Sequence, residues 1–526
     1  MTDLNTIPLW HRFELTLTST IVYDNPPQQA TLMAQLTSPS GVKKQVYGFW
    51  DGGATWRVRS APDEVGDWTY SITCSDHANS GLHDQQGGFV CAAPTGDTIF
   101  QQHGDIRLSA NQRYFVHADG TPFLWMADTA WAAPTRSTDE EWTLYLHERK
   151  RQKFNAVQWM TTQTLCIESD INGRRAFEGT DRITLDPAFF QRLDGKLEQM
   201  NESGMLGLPV LLWAAMWADA AINAMSPGFA LPEDQAILLA RYMVARWGAH
   251  QVVWMLPGDG DYLGAGAPRW KRIGQAVFGA VDHAPVCLHP RGMIWTGEEF
   301  DDQEWFDYIG YQSGHGDDDA TITWLVEGPP ATLWSHGKAR PVINLEPPYE
   351  DHIAYQSGQR FSALATRKRL YWSLLIAPTA GVTYGGHGIW GWDDGTQPPM
   401  NHPNTGIPKR WQDALLLPVA EQIAHLMTFF AVIEWWRLRP APSILLEQPG
   451  AVDKEHFVAA SASVEGDLAV IYIPEGDRIR LQRGALKANL RGTWFNPATG
   501  VRTATAENVS DQFDPPTAGD WLLLLS

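Results

Sequence analysis

The sequence predicts an α/β protein in which a (β/α)8 TIM barrel stands between two β-sandwich domains. The chain has 526 residues, which is too long for one ordinary domain. Its middle part alternates short apolar segments with amphipathic helical segments, and eight such alternations are typical of a closed barrel. Both ends instead carry short runs in which apolar and polar residues alternate. We therefore predict an N-terminal β-sandwich over residues 1–95, a barrel over 96–434 and a C-terminal β-sandwich over 435–526.

The two flanking domains are predicted from strand-length runs separated by turns that contain Gly, Pro, Asn and Asp. The N-terminal runs are residues 13–18, 30–36 and 56–59. After about residue 435 the helical period stops, and the segments that indicate strands with turns are residues 469–473, 479–481, 492–500 and 520–525. Neither domain has a cluster of polar residues that suggests catalysis, so we predict accessory or structural roles for both.

The barrel is predicted from eight apolar strand segments and the helices between them. The strand segments are residues 122–128, 154–160, 208–213, 251–256, 285–289, 306–311, 342–346 and 381–385. The helical segments are residues 140–153, 188–203, 233–247, 269–281, 320–335, 362–376 and 411–430. An open doubly wound sheet could alternate in the same way, but it rarely needs eight strands. No Gly-x-Gly-x-x-Gly fingerprint follows the first segment either.

Composition excludes several classes of function. With 40 basic and 60 acidic residues the net charge is −20, which argues against binding nucleic acid or an anionic membrane. No run of about 18 apolar residues is present, so no membrane span is expected. The first residues have neither a basic start nor an apolar core, so no signal peptide is visible. The four cysteines lack paired metal-ligand spacing, and we expect reduced thiols in a cytoplasmic protein.

The 25 tryptophans need an explanation, because Trp is large and is rarely fully buried. A Trp ring offers an apolar face and a polar edge, which is the platform on which a sugar ring stacks. The residues that follow the predicted strands are rich in acids, imidazoles, amides and Trp rings, a composition typical of a sugar site. The candidate substrate-binding residues are Asp128, Trp131, Gln158, Trp159, Trp213, His289, Gln312, His315, Glu350, His387 and Trp390.

Two carboxylates, Asp259 and Glu346, are the candidate catalytic pair. Asp259 lies just past the fourth strand segment and Glu346 ends the seventh, and in a barrel these strand ends lie nearly opposite each other across the mouth. Glycoside hydrolysis needs one carboxylic acid to protonate the leaving oxygen and one carboxylate to attack carbon or activate water. Alternatives remain for each residue: Asp259 could belong to a polar turn, and Glu346 could cap a helix or pair with an Arg. Asp128, Asp261 and Glu350 are competing acids.

The order of motifs resembles that of the apiosidase-like glycoside hydrolases with an N-terminal β-sandwich and a small C-terminal β-domain. The barrel motifs that carry the resemblance are residues 113–131, 253–259, 312–315, 344–350 and 384–390. The N-terminal motifs lie at residues 25–26, 48–52, 56–59 and 66–70, and the C-terminal one at 494–500. By matching position, the resemblance implies Asp259 as acid/base and Glu346 as nucleophile.

We therefore expect a glycoside hydrolase that is exo-acting and retaining, without a cofactor. Its expected partner is an oligosaccharide or a short plant-type glycoside, with a pentose or deoxysugar as the cleaved sugar. Two other functions stay open: a non-catalytic carbohydrate-binding protein on an inactive barrel, and an endo-acting glycanase. A metal-dependent hydrolase with zinc on His289, His315 and His387 is also possible, although amides and Trp rings between them fit hydroxyl recognition better.

Overall fold

The computed structural model describes residues 5–164, 166–215, 220–482, 484–505 and 511–526, and for residues 220–222 it describes the backbone only. The N-terminal part contains seven strands: β1 (Thr6–Pro8), β2 (Phe13–Thr18), β3 (Leu32–Thr37), β4 (Lys43–Trp50), β5 (Thr55–Ser60), β6 (Gly66–Cys74) and β7 (Gln85–Ala92). They form one sheet with the order β1-β7-β6-β3-β4-β5-β2. Phe13 on β2 stacks on Phe89 on β7 with 4.1 Å between ring centroids. The sheet therefore folds over, and its two halves enclose a common core.

A small antiparallel sheet leads into the barrel, and it consists of β8 (Ile106–Leu108), β9 (Phe115–His117) and β10 (Pro122–Phe123). The eight barrel strands are β11 (Trp125–Thr129), β12 (Ala156–Met160), β15 (Leu206–Trp213), β16 (Trp254–Gly260), β17 (Val286–Pro290), β18 (Ile309–Gln312), β19 (Val342–Glu346) and β20 (Gly381–Tyr384). Between β12 and β15 the chain makes a short hairpin of β13 (Phe177–Glu178) and β14 (Thr184–Leu185).

The barrel strands are parallel and follow one another around the ring in chain order. The N–H of Asp307, just before β18, donates to the carbonyl of Val286 on β17 at 2.9 Å, which brings the first and last strands of the sheet together. Nearly every barrel-strand residue is buried, because side chains inside the ring and outside it are both covered. The predicted (β/α)8 barrel is confirmed.

The helices surround the barrel, apart from α1 in the N-terminal part. They are α1 (Pro26–Gln29), α2 (Ile99–His103), α3 (Ala133–Arg136), α4 (Asp139–Arg151), α5 (Pro187–Glu202), α6 (Ala220–Met225), α7 (Pro227–Ala230), α8 (Glu233–Trp247), α9 (Ala267–Phe278), α10 (Asp319–Val326), α11 (Pro329–Thr332), α12 (Ala363–Leu375), α13 (Trp411–Ala414) and α14 (Pro418–Phe430). Among the described helices, none is long and apolar enough to cross a membrane.

Two predicted helices are each divided into two, and proline is the reason. The segment predicted over 320–335 is α10 followed by α11, because Pro329 and Pro330 occupy the first turn of a new helix. The segment predicted over 411–430 is α13 followed by α14, which begins at Pro418. Proline has no N–H to donate to the preceding turn, so it favours a helix start and disfavours a helix interior.

The C-terminal part is again β-rich. Its strands are β21 (Arg439–Pro440), β22 (Ala459–Ala462), β23 (Ala469–Ile473), β24 (Ile479–Arg480), β25 (Gly492–Phe495), β26 (Arg502–Ala504), β27 (Gln512–Phe513) and β28 (Trp521–Leu525). Six of them form one sheet, and β24 pairs with β27 in a second. Arg367 on α12 forms a buried ion pair with Asp520 at 2.8 Å, and this pair ties the C-terminal part to the barrel.

Candidate active site

A cavity of about 610 Å³ opens at the carboxyl ends of the barrel strands. Parallel barrels carry their chemistry at this end, because the loops that follow the strands can vary without disturbing the core. Each strand contributes at least one lining residue at or just beyond its end, and in strand order these include Trp131, Met160, Trp213, Asp259, Arg291, Gln312, Glu346 and Trp390. The cavity is therefore surrounded on all sides by the ring of strand ends.

Glu346, the last residue of β19, lies in this cavity and is only 7% exposed. Its Oε1 accepts a hydrogen bond from the hydroxyl of Tyr349 at 2.5 Å and lies 3.1 Å from Nε2 of His315. Its Oε2 lies 3.4 Å from Nε2 of His289. Burial raises the pKa of Glu346, while His289 and the Tyr349 hydroxyl oppose that rise by stabilising the anion. Tyr349 and His315 thus orient this carboxylate by hydrogen bonds, and His289 lies beside its other oxygen.

The hydrogen bonds around His315 define which of its nitrogens carries the proton. The backbone N–H of Tyr349 points at Nδ1 of His315 at 3.4 Å, so Nδ1 is the acceptor and Nε2 carries the hydrogen. Burial lowers the pKa of His315 to about 3, so the ring is neutral at ordinary pH. A neutral His315 in this tautomer donates to Oε1 of Glu346. Trp131 completes the arrangement, since its indole N–H donates to the Tyr349 hydroxyl at 3.0 Å.

Asp259, the residue before the last of β16, has an unusual backbone conformation with φ of +54°. L-residues other than glycine rarely adopt this region, and such strain is commonly found at functional sites. Gly258 precedes it because the ring of Trp213 packs against the backbone there: a Cβ at this position would lie 2.3 Å from Cε3 of Trp213. The amide of Gln312 donates to Oδ1 of Asp259 at 3.1 Å. This contact fixes the direction of the carboxyl group.

Burial raises the pKa of Asp259 to about 7, and the nearby charge of Glu346 adds to the rise. At neutral pH a substantial fraction of Asp259 is therefore protonated and can donate a proton. Glu346, in contrast, has donors on its oxygens that stabilise its ionised form. Two neighbouring carboxyls with such different surroundings are suited to two different roles, one as an acid and one as an anion.

Aromatic side chains form much of the cavity wall. The rings of Trp131 and Trp213 meet edge to face at 5.2 Å, and His289 packs edge-on against Trp131 at the same separation. Trp390, which follows β20, and Tyr355, in the loop that follows β19, also line the cavity. Apolar ring faces beside two carboxyls are the surroundings that a pyranose or furanose ring needs, because its C–H groups stack on the rings while its hydroxyls reach polar atoms.

Seven of the thirteen predicted site residues line the cavity, and they are Trp131, Trp213, Asp259, Gln312, His315, Glu346 and Trp390. His289 lies directly behind Glu346, with no exposed surface. Gln158 is buried within the barrel, where its amide donates to Thr129 and to the carbonyl of Leu345. His387 lies behind Trp390, whose indole N–H donates to its Nδ1 at 3.2 Å. These three residues therefore support the cavity without lining it.

The remaining three predicted residues point away from the cavity. Trp159 lies on the outer face of the barrel and packs against Trp247 on α8 at 5.3 Å. Glu350 accepts hydrogen bonds from the Tyr384 hydroxyl at 2.8 Å and from the N–H of Val419, so it holds the start of α14. The third, Asp128, is fully buried in an ion pair and is considered below.

Several cavity residues were not predicted, and Tyr349 is the most important of them. It follows Glu346 by three residues in the Glu-Pro-Pro-Tyr motif, so its place in that motif could have indicated it. His352 and Tyr355 also line the cavity from this loop. At the mouth, Asp261 and Arg291 form a partly exposed pair at 3.2 Å. Among the residues described, no group of three or more His, Cys, Asp or Glu side chains has an arrangement that could hold a metal ion.

Replacing Tyr349 by phenylalanine tests whether its hydroxyl stabilises the ionised form of Glu346. The variant removes one donor from Oε1, so the ionised form of Glu346 loses a charge-assisted hydrogen bond. We expect kcat/KM to fall roughly tenfold to a hundredfold. We also expect the acid limb of the pH profile to move to higher pH, because the pKa of Glu346 rises. Tyr355→Phe is the matched control, since no hydrogen bond joins its hydroxyl to Glu346. An unchanged acid limb in Tyr349→Phe would contradict this role.

Asp128 is better explained as a structural residue than as a substrate ligand. Its Oδ2 accepts from Nε of Arg149 and from the Tyr145 hydroxyl, both at 2.7 Å, and all three side chains are buried. Removing one partner of a buried ion pair leaves an uncompensated charge, which costs about 3–5 kcal/mol. Asp128→Asn should therefore lower the urea midpoint of unfolding strongly and leave KM unchanged. Asp261→Asn, in an exposed pair, should cost about 1 kcal/mol or less. If Asp128→Asn instead raised KM and left the stability unchanged, Asp128 would be a substrate-binding residue.

Comparison with protein-family models identifies the chain. The model described as "Apiosidase-like, catalytic domain" matches residues 109–437, which include the whole barrel and both carboxyls of the cavity. The chain belongs to the apiosidase-like family. Together with the carboxyl pair at the barrel mouth, this membership makes the protein a glycoside hydrolase. A domain of unknown function, DUF5060, matches residues 6–75 of this apiosidase-like chain, and a model named for the collagen-binding domain of a collagenase matches 440–526.

Solved structures with the same fold include other glycoside hydrolases. One described as a glycoside hydrolase aligns over 82% of this apiosidase-like chain and 98% of its own, with 20% identity and a TM-score of 0.70. A glycoside hydrolase family 5 protein from Bacteroides vulgatus covers 82% and 94%, with 19% identity and a TM-score of 0.70. A further Bacteroides vulgatus structure aligns over 99% of both chains, with 19% identity and a TM-score of 0.72. The search of curated proteins gave no match.

Proposed function

We propose that this protein is a retaining, exo-acting glycosidase in which Asp259 is the acid/base and Glu346 is the nucleophile. The observation that carries the proposal is the contrast between the two carboxyls of one cavity. Glu346 accepts hydrogen bonds from Tyr349 and His315, which favour its ionised form against the effect of burial, whereas burial and the charge of Glu346 raise the pKa of Asp259 to about 7. An acid that keeps its proton beside an oriented carboxylate is what glycosidic bond cleavage requires.

In the first step, Glu346 attacks the anomeric carbon and Asp259 gives its proton to the leaving oxygen. The glycosidic C–O bond breaks as the bond between the sugar and Oε2 of Glu346 forms, because Oε1 carries the hydrogen bonds from Tyr349 and His315. In the second step, ionised Asp259 takes a proton from water, and the hydroxide so formed attacks the same carbon. Glu346 leaves as a carboxylate, and the sugar keeps its anomeric configuration.

The shape of the cavity supports action at a chain end. Strand ends and loops from all eight barrel strands surround its volume of about 610 Å³. A groove for internal cleavage needs two open sides through which the chain can continue, whereas a surrounded cavity accepts a terminal sugar. The aromatic wall of Trp131, Trp213 and Trp390 supports a sugar in this position. The family membership supports a pentose or deoxysugar from a short plant-type glycan or glycoside as the substrate class.

A substrate panel tests this proposal directly. Aryl glycosides and pectic oligosaccharides are incubated with the protein, and the anomer formed first is followed by NMR. We expect release of a terminal monosaccharide with the anomeric configuration of the substrate. Release of the opposite anomer would overturn retention, and release of internal fragments would favour an endo-acting glycanase. Saturable binding measured by calorimetry without any turnover would favour a carbohydrate-binding protein.

A further inference from the structure

A second, shallow depression adjoins the cavity mouth and shares one side chain with it. It is lined by Met293, Asp319, Ala320, Thr323, Trp324, Glu327 and Gly328. Met293 lines both this depression and the catalytic cavity. α10 borders both sides as well, because its Thr321 faces the cavity while Trp324 faces the depression. A substrate whose sugar occupies the cavity can therefore extend past Met293 onto the ring of Trp324.

Met293 is held in place rather than left to move freely. Its φ is +60°, a conformation that a non-glycine residue rarely adopts, and its N–H donates to the carbonyl of Gln312 at 2.9 Å. Gln312 also donates to Asp259, so one residue fixes both the acid and the Met293 backbone. The side chain is nevertheless 39% exposed. A strained backbone that presents a partly exposed apolar side chain in the cavity that holds Asp259 is typical of a binding position.

The charges around the depression disfavour an anion. Asp317, Asp318 and Asp319 form an acidic run at the start of α10, and Asp319 lines the depression together with Met293. The pKa of Asp318 is lowered by hydrogen bonds from Thr321, so this carboxyl stays ionised at ordinary pH. The nearby cations are engaged with acids: Arg291 pairs with Asp261, and Lys454 pairs with Glu327. An anionic group placed on Trp324 would therefore meet a negative field.

We infer that the surface formed by Met293 and Trp324 is a leaving-group subsite for an uncharged, planar aromatic aglycone. The inference rests on the proposed function and narrows it, because it assigns the protein to aryl glycosides rather than to uronic-acid-containing chains. The half-buried Trp324 offers a ring face, and Met293 adds a polarizable thioether that packs well on aromatic groups. Met293 and Asp259 line the same cavity and both bond to Gln312, so the surface adjoins the cavity in which the leaving group receives its proton.

The test compares two glycosides of one sugar that differ only in the leaving group. The panel pairs 4-nitrophenyl and methyl glycosides of plant pentoses, hexoses and deoxysugars, and it includes pectic oligosaccharides. We expect Met293→Gln and Trp324→Ala each to raise KM for the 4-nitrophenyl glycoside about fivefold with kcat nearly unchanged, as loss of uniform binding predicts. KM for the methyl glycoside should not change. Leu144→Ala, at an exposed apolar side chain of α4, is the matched control.

A charged aglycone gives a second readout that does not depend on packing. KM for a 4-carboxyphenyl glycoside should exceed KM for the 4-nitrophenyl glycoside. At low salt, Asp319→Asn should reduce this difference between the two KM values. Equal effects of Met293→Gln on both leaving groups would overturn the inference, and so would hydrolysis of oligosaccharides without hydrolysis of any aryl glycoside. If the wild-type protein cleaves no glycoside at all, it is the proposed function that fails.

Discussion

Glu346→Gln is expected to lower kcat/KM by about 10⁴-fold or more, the scale found when a covalent nucleophile is removed. The amide has the same shape as the carboxylate, so it fills the site between Tyr349 and His315 without a cavity. It cannot attack the anomeric carbon, because its lone pairs lack the negative charge. Hydrolysis of a 4-nitrophenyl glycoside from the panel gives kcat/KM, and a thermal melt shows whether the variant is folded.

Rescue with azide tests whether Glu346 acts as the nucleophile. In Glu346→Ala the small anion can occupy the vacated space and attack the anomeric carbon, so we expect a glycosyl azide of inverted configuration. Asp261→Asn, which removes a carboxylate from the mouth of the same cavity, should keep most of the activity. A folded Glu346→Gln variant with full activity would refute the assignment. Azide adducts of retained configuration would instead give Glu346 the acid/base role.

The barrel could be predicted because apolar residues recur with different periods in its strands and in its helices. The eight apolar segments are bounded by Pro, Gly and polar residues, and the structure places a barrel strand in each. Boundaries were less predictable. The segment at 122–128 divides, since Pro122 pairs back with Val116 while the barrel strand begins at Trp125. Such a division depends on a pairing partner elsewhere in the chain, which no local pattern contains.

That Asp259 and Glu346 line one cavity could be predicted from the strand ends alone, because the carboxyl ends of parallel strands meet at one mouth. The strand ends alone do not show whether each of the other side chains points into the barrel or away from it. Gln158 and Trp159 are adjacent on β12, so they face opposite sides of the barrel, and only one could reach its interior. Alternation would have excluded Trp159, whose ring packs on Trp247.

The acids that were expected to bind sugar are explained by partners far away in sequence. Asp128 pairs with Arg149, which lies 21 residues later on α4, and Glu350 caps α14 through Val419. A buried acid with a buried cation or a helix start beside it is structurally satisfied, whereas an acid without such partners is available for chemistry. That difference appears only when the chain is folded, so Asp128, Asp259 and Glu350 look alike in the sequence.

Asp259→Asn is expected to lower kcat/KM by about 10²–10⁴-fold for substrates with poor leaving groups, which is the usual contribution of a general acid. A methyl glycoside or an oligosaccharide needs a proton on its leaving oxygen, whereas 4-nitrophenolate leaves without one. For the 4-nitrophenyl glycoside kcat/KM should therefore stay near the wild-type value, while kcat falls because no base activates water in the second step. The two substrates, assayed side by side, show which step Asp259 serves.

The pH profile gives an independent measure of the same role. Because the pKa of Asp259 is raised to about 7, its proton is present below that pH and is lost above it. Wild-type kcat/KM for a methyl glycoside should thus fall as pH rises through about 7, and it should also fall at acid pH when Glu346 takes up a proton. In Asp259→Asn the alkaline limb should vanish and the acid limb should remain. An alkaline limb that persists unchanged in this variant would mean that another group, with Asp261 the nearest candidate, supplies the proton.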